Sequence, residues 1–153
     1  MRKPLSEEGH EDHMMTAAEI QNFLQREFPQ IEAHGRYKVE KASPKGVRLR
    51  ARYDASQIRP GGTISGPTMM SLADVSLYIA VLASIGPQAM AVTTNLNINF
   101  LRKPGPRDLV AEGRLLKLGK RLAVGEVTIY SDGEVDPVAH VTGTYSIPPR
   151  SRI

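Results

Sequence analysis

The sequence predicts an α+β domain in which a curved antiparallel sheet wraps a long central helix, and three patterns carry that expectation. A long apolar run bounded by Gly66-Pro67 and Gly86-Pro87 has the punctuation of a helix. Four alternating runs follow it at 90–101, 107–118, 122–131 and 137–147, separated by turn residues. Another alternating run precedes it. A helix that is apolar nearly all round has to be covered by protein, and a sheet curled about it supplies the cover.

At 153 residues the chain has the length of one domain and can bury a core without a metal or disulfide staple. With 41% hydrophobic and 24% charged residues it is neither disordered nor fibrous in composition. Cysteine is absent, which excludes a disulfide framework, a thiol nucleophile and cysteine-ligated metal, and suits a reducing compartment. The opening MRKPLSEEGHEDHMM has no apolar segment of the secretory kind, so a cytoplasmic protein is expected.

Residues 1–14 read as a flexible polar tail, with His10 and His13 solvated rather than paired on a metal. A single domain is expected over 15–148, then a short tail at 149–153. Its first helix starts at Thr16, because Thr16-x-x-Glu19 is a capping box and Ile20, Phe23, Leu24 and Phe28 recur at helical spacing until Pro29. Val47, Leu49, Ala51 and Tyr53 alternate with Arg48, Arg50 and Arg52, a strand with its arginines on a solvated face. The glycine-rich loop Arg59–Pro67 then feeds the long helix, capped by Ser65 or Gly66. Thr68, Ser71, Asp74, Ser76 and Ser84 make that helix a poor membrane span. Arg102-Lys103-Pro104-Gly105-Pro106, Gly119-Lys120 and Ser131-Asp132-Gly133 are turn signals, so the last four strands are expected to form a meander. His140 shares parity with Thr142, Thr144 and Ser146, opposite Ala139, Val141, Tyr145 and Ile147, and is assigned to the polar outer face.

The charge pattern points to one residue. Between two basic blocks, 41–60 and 102–121, Asp74 is the lone formal charge of residues 61–101. A carboxylate in such apolar surroundings is either a general base or nucleophile, or a structural group bonded to Ser71, to Tyr78 or across an interface. The loop adds a second element: unpaired N–H groups at Ser65-Gly66, backed by the positive end of the helix dipole, can bind an anion or polarise a carbonyl. The Gly-Lys-Ser/Thr ending of a nucleotide-binding loop is missing.

Ser65-Gly66-Pro67-Thr68-Met69-Met70-Ser71-Leu72-Ala73-Asp74 resembles the His-Gly-Gly-x4-Leu-x-Asp signature of hotdog-fold acyl-CoA thioesterases of the phenylacetate-pathway type, in the 4-hydroxybenzoyl-CoA thioesterase superfamily. Val92–Phe100 resembles that family's strand after the helix, and Leu116–Arg121 its basic hairpin. The resemblance spans roughly residues 45–148 and implies a hotdog fold. It implies that Asp74 activates water or attacks the thioester, that the Gly66 N–H polarises the carbonyl, and that Thr93 orients the water or the carboxylate. It also implies contacts to coenzyme A from Lys117, Gly119, Lys120 and Arg121, with Asn95 along the thiol arm. Sites in that family are shared between subunits, so a homodimer or homotetramer is expected. Ser65 stands where the signature has His, and Arg59 where relatives often carry Asn; Arg59 could pair with Asp74 or recognise an acidic acyl group.

An acyl-CoA thioesterase needing no metal or redox cofactor is therefore the expected function. A hotdog hydratase or dehydratase would use a loop histidine, and no His lies between 35 and 139. A non-catalytic acyl-CoA-binding protein is the other alternative, fitting the altered Ser65 and Arg59. Aromatic residues make up only 5% of the chain, which leaves no stacking platform for nucleic acid.

Overall fold

The computed structural model describes residues 14–30 and 35–149; the expected tails, with His10 and His13, fall almost entirely outside them. Helix α1 (Ala17–Glu27) begins at the capping box: Thr16 Oγ1 accepts from the Glu19 N–H, and the Glu19 carboxylate accepts from the Thr16 N–H, each at 3.2 Å. It buries Ile20, Phe23 and Leu24 and closes at Phe28, whose N–H donates to the Leu24 carbonyl.

Six strands form one sheet: β1 (Tyr37–Ser43), β2 (Gly46–Ala51), β5 (Val92–Phe100), β6 (Leu109–Leu118), β7 (Leu122–Ser131) and β8 (Ala139–Ser146). A two-stranded ribbon, β3 (Ile58–Arg59) and β4 (Thr63–Ile64), carries the glycine-rich loop. The order across the sheet is β1-β2-β6-β7-β8-β5, with every pairing antiparallel. The expected α+β architecture is present, but the four-strand meander is only partly so. β6, β7 and β8 are consecutive neighbours, whereas β5 pairs with β8 at the far edge and β6 with β2. The link between β5 and β6 carries Pro104 and Pro106, whose missing N–H groups and fixed φ do not suit a tight hairpin, and it crosses the sheet instead.

Helix α2 (Gly66–Ile85) lies along the concave side of the sheet. Ser65 caps it and Pro67 occupies its first turn. It is long and apolar enough to cross a bilayer, yet 67% of that apolar window is buried inside the protein. Two of its serines are satisfied within the helix: Ser76 Oγ donates to the Leu72 carbonyl at 2.7 Å and Ser84 Oγ to the Ala80 carbonyl at 2.9 Å. Leu77 meets the sheet where Gly125 of β7 pairs with Gly143 of β8. A Cβ built at Gly143 would lie 2.5 Å from Leu77 Cδ1, so the pair is open for close helix-to-sheet approach.

The outer face of the sheet is ionic. Arg48 and Arg50 both donate to Glu40, at 3.0 and 3.1 Å, and Arg50 also reaches Asp108 and Asp132. The strand arginines expected to be solvated are thus rungs of an ion-pair network, with Arg52 beyond the end of β2. His140 lies on this face as expected, its Nε2 3.2 Å from Glu126 Oε2, while Arg114 holds Glu126 from the other side at 2.7 Å.

Candidate active site

Asp74 sits two turns into α2, half-buried where the helix passes the start of β5. Two hydroxyls from adjacent strands converge on one of its oxygens: Thr93 Oγ1 donates to Oδ1 at 2.5 Å and the Tyr145 hydroxyl donates to Oδ1 at 2.6 Å. Strand register makes this possible, because Thr93 and Tyr145 face each other across β5 and β8. The Tyr145 oxygen is also 2.9 Å from the Asp74 carbonyl, so its single proton is shared between the side chain, which is nearer, and the helix backbone. Burial, and next the nearby Asp74 charge, push the Tyr145 phenol well above its usual range, so it stays protonated as a donor. Ser71 and Tyr78, the sequence-based candidates for holding Asp74, make no hydrogen bond to it; Tyr78 donates to the Gln88 carbonyl at 3.2 Å.

Oδ2 of Asp74 has no hydrogen-bond partner among the described residues, and none of their buried side-chain polar atoms is left unpaired. Oδ2 is therefore open to solvent, at the wall of a cavity of about 370 Å³ lined by Phe28, Val75, Tyr78, Ala89, Ala91 and Val92 beside Asp74, Thr93 and Tyr145. An aromatic row backs it: Phe28 meets Tyr78 edge-on at 5.4 Å, and Tyr78 lies 6.0 Å from Tyr145. The arrangement is a carboxylate held by neutral donors, with one oxygen free, next to an apolar hollow.

The second expected element lies at the start of α2. Ser65 Oγ is committed to the cap, 2.9 Å from Thr68 Oγ1 and accepting from the Thr68 N–H at 3.4 Å. The Gly66 N–H has no acceptor among the described residues. Phe100 covers Gly66, and a Cβ there would lie 3.3 Å from the ring. Asp74 follows Gly66 by eight positions along the helix, about 12 Å at 1.5 Å per residue. Within one chain, these two groups cannot grip the same carbonyl.

The remaining expected residues divide. Gly119, Lys120 and Arg121 border a second cavity, about 380 Å³, with Ile85, Gln88 and Pro148. Gln88 lines this cleft, and Ala89 and Ala91 line the hollow beside Asp74. Lys117 is exposed on the same hairpin, opposite Val124. Arg59 is exposed on β3 and makes no ion pair with Asp74 among the described residues. Asn95 is not brought to Asp74: a bulge at Thr94 inserts a residue, so Asn95 pairs with Thr144 and points to the outer face. Sequence reasoning missed Tyr145, which shares the parity of core residues on β8; its polar tip among apolar partners was the available signal.

Residues 61–138, just over half of the chain, match the family model of the thioesterase superfamily. A crystallised candidate thioesterase from a Silicibacter species is 44% identical, with a TM-score of 0.82 covering 90% of this chain and 94% of that one. A variant of the phenylacetic acid degradation protein PaaI of Thermus thermophilus is 26% identical with a TM-score of 0.67, covering 78% of this chain and 99% of that one. A candidate esterase of Saccharolobus solfataricus is 29% identical over 147 residues, 94% of this chain and 87% of that protein. The match takes in helix α2 with Asp74 and Gly66 and three of the six strands of the sheet, β5 to β7, and the chain belongs to the thioesterase superfamily, with its hotdog fold.

Proposed function

We propose that the protein hydrolyses acyl-CoA thioesters, with Asp74 as the group that activates water or attacks the carbonyl. The observation that carries this reading is the half-clamped carboxylate, with Oδ1 tied to Thr93 and Tyr145 and Oδ2 open beside an apolar hollow. In the general-base route Asp74 takes a proton from water as the water oxygen bonds to the carbonyl carbon. The developing oxyanion is met by a Gly66 N–H, the C–S bond breaks, and the thiolate takes up the proton held by Asp74. Free acid and CoA result, and water is the only co-reactant the step consumes.

The 12 Å gap along α2 is closed by a second copy. β5 is an edge strand nine residues long, running antiparallel to the helix with Thr93 beside Asp74 and Phe100 over Gly66. Antiparallel pairing of two β5 strands about a two-fold axis near Leu96 would put the Thr93 end of one beside the Phe100 end of the other. Each site then takes Asp74 and Thr93 from one subunit and Gly66 from its partner, in a homodimer or a pair of such dimers. Lys120 and Arg121, which border the second cleft, and Lys117 on the same hairpin are read as the cations that meet the phosphates of coenzyme A, and a cytoplasmic location suits that substrate. Thiol release from hexanoyl-, palmitoyl- and benzoyl-CoA, by the natural chain and by Asp74→Asn, tests the reading. Turnover of at least one ester, lost in Asp74→Asn with folding intact, is expected; undiminished turnover in that variant removes Asp74 from the mechanism.

A further inference from the structure

We infer that Tyr145 is a positioning residue for this hydrolysis: its hydroxyl, with that of Thr93, fixes Asp74 Oδ1 so that Oδ2 alone meets water or the thioester. The inference rests on the proposed role of Asp74 and assigns which oxygen reacts and what aims it.

A carboxylate on a helix rotates about χ1 and χ2, and either oxygen could otherwise be presented. Two donors on one oxygen remove that freedom. The geometry of Tyr145 is set by the sheet and not by the side chain's own choice. It is 5% exposed, paired in register with Thr93 on one side and Ala123 on the other, and its ring lies against Tyr78. The phenol oxygen also lies within bonding distance of the Asp74 carbonyl, so a shift of the helix and a rotation of the carboxylate are resisted at one point. Packing alone does not call for the hydroxyl, since phenylalanine would fill the same slot between Tyr78 and the helix. Tyr78 is the contrast: equally aromatic and in the same cavity, it spends its proton on a backbone carbonyl and holds no carboxylate.

The donors are neutral, which matters for the chemistry. An arginine in the place of Tyr145 would fix the carboxylate as well, but as a charged bidentate partner it would occupy both oxygens and hold the anion as an ion pair. Hydroxyls leave it oriented and still available.

Tyr145→Phe tests this against hexanoyl-, palmitoyl- and benzoyl-CoA. The expected result is a kcat lowered about ten- to a hundred-fold, the scale of one lost hydrogen bond to a charged group. KM, and the affinity for the ketone analogue of hexanoyl-CoA with a methylene between sulfur and carbonyl, should stay within about two-fold, since the substrate does not bind through Tyr145. Replacing Tyr145 by 3-fluorotyrosine, which keeps the donor, should return kcat to within about three-fold of the natural protein. A purely structural role predicts instead that analogue binding and thermal midpoint fall together with kcat, and that outcome overturns the inference. So does a Tyr145→Phe enzyme of undiminished kcat beside an inactive Asp74→Asn, which leaves the role of Asp74 standing. Activity retained by Asp74→Asn, or no thiol release by the natural chain, overturns both.

Discussion

The two faces of the sheet treat their carboxylates differently. On the outer face Glu40 is held by Arg48 and Arg50, and Glu126 by Arg114 and His140. On the inner face Asp74 meets only hydroxyls. An arginine neutralises a carboxylate and occupies its lone pairs, so the outer groups contribute to folding and have nothing left to react with. A hydroxyl orients without neutralising. The inner carboxylate keeps one open oxygen and is the lone formal charge in 41 residues of chain. Activity is thus expected to respond to losses inside, and acid resistance to losses outside.

After loss of Asp74 itself, the largest effect should come from the backbone donor on the inner side. Gly66→Pro deletes the N–H while keeping a φ suited to the first turn, since Ser65 already has the extended ψ of 152° that a following proline requires. Loss of one oxyanion donor is worth about 2.7–4 kcal/mol in the transition state, so kcat should fall by about 10²–10³. Mixing Gly66→Pro chains with Asp74→Asn chains, each with about a hundredth of natural turnover or less alone, should restore up to about a quarter of natural turnover, because a mixed dimer keeps one complete site. No recovery after subunit exchange would place both groups in the same chain and contradict the shared site. Next in size is a packing change with no bearing on chemistry. Gly143→Ala puts a methyl against Leu77 Cδ1 and the Asn95 carbonyl, both too close to accept it, and should cost about 1–3 kcal/mol, read as a lower thermal midpoint.

How far the sequence could be read follows the same division. The long helix, the placing of its cap at Ser65 or Gly66 and the lone Asp74 were legible because punctuation and charge are local signals. Thr16 and Glu19 announced α1 for the same reason. What needed the structure was pairing between distant residues. Strand alternation indicated that Tyr145 faces the core but not that Asp74 lies under its hydroxyl, 71 positions away in sequence. Periodicity cannot reveal a bulge, so the sequence did not show that Thr93 and Asn95, two positions apart, would face opposite sides of β5. The crossing of the β5–β6 link was hidden likewise, since a turn signal states that the chain bends and not which neighbour it then finds.

The smallest effects lie on the outer face and are best seen as pH dependence. Glu126 titrates below its ordinary value of 4.5, held there first by Arg114 and then by His140. Glu40 does so as well: burial pushes its carboxyl up, but hydrogen bonds from Arg50 and Arg48 outweigh that and bring it down. A carboxylate whose folded-state pKa lies below its unfolded one is stabilising above the unfolded value, and that contribution drains away as pH falls through the folded one. Both therefore add stability at pH 7 that is progressively lost below about 4.5. Glu40→Gln should cost about 1 kcal/mol at pH 7 and much less at pH 3, flattening the acid limb of a plot of thermal midpoint against pH. Glu126→Gln should do the same on a smaller scale, because its partner Arg114 is 63% exposed and solvent weakens the pair, whereas Arg50 beside Glu40 is 20% exposed. Neither substitution should move kcat. An acid limb equally steep in the Glu40→Gln protein would show that the ion-pair network is not what protects the fold, and a fall in kcat would join the two faces that the geometry keeps apart.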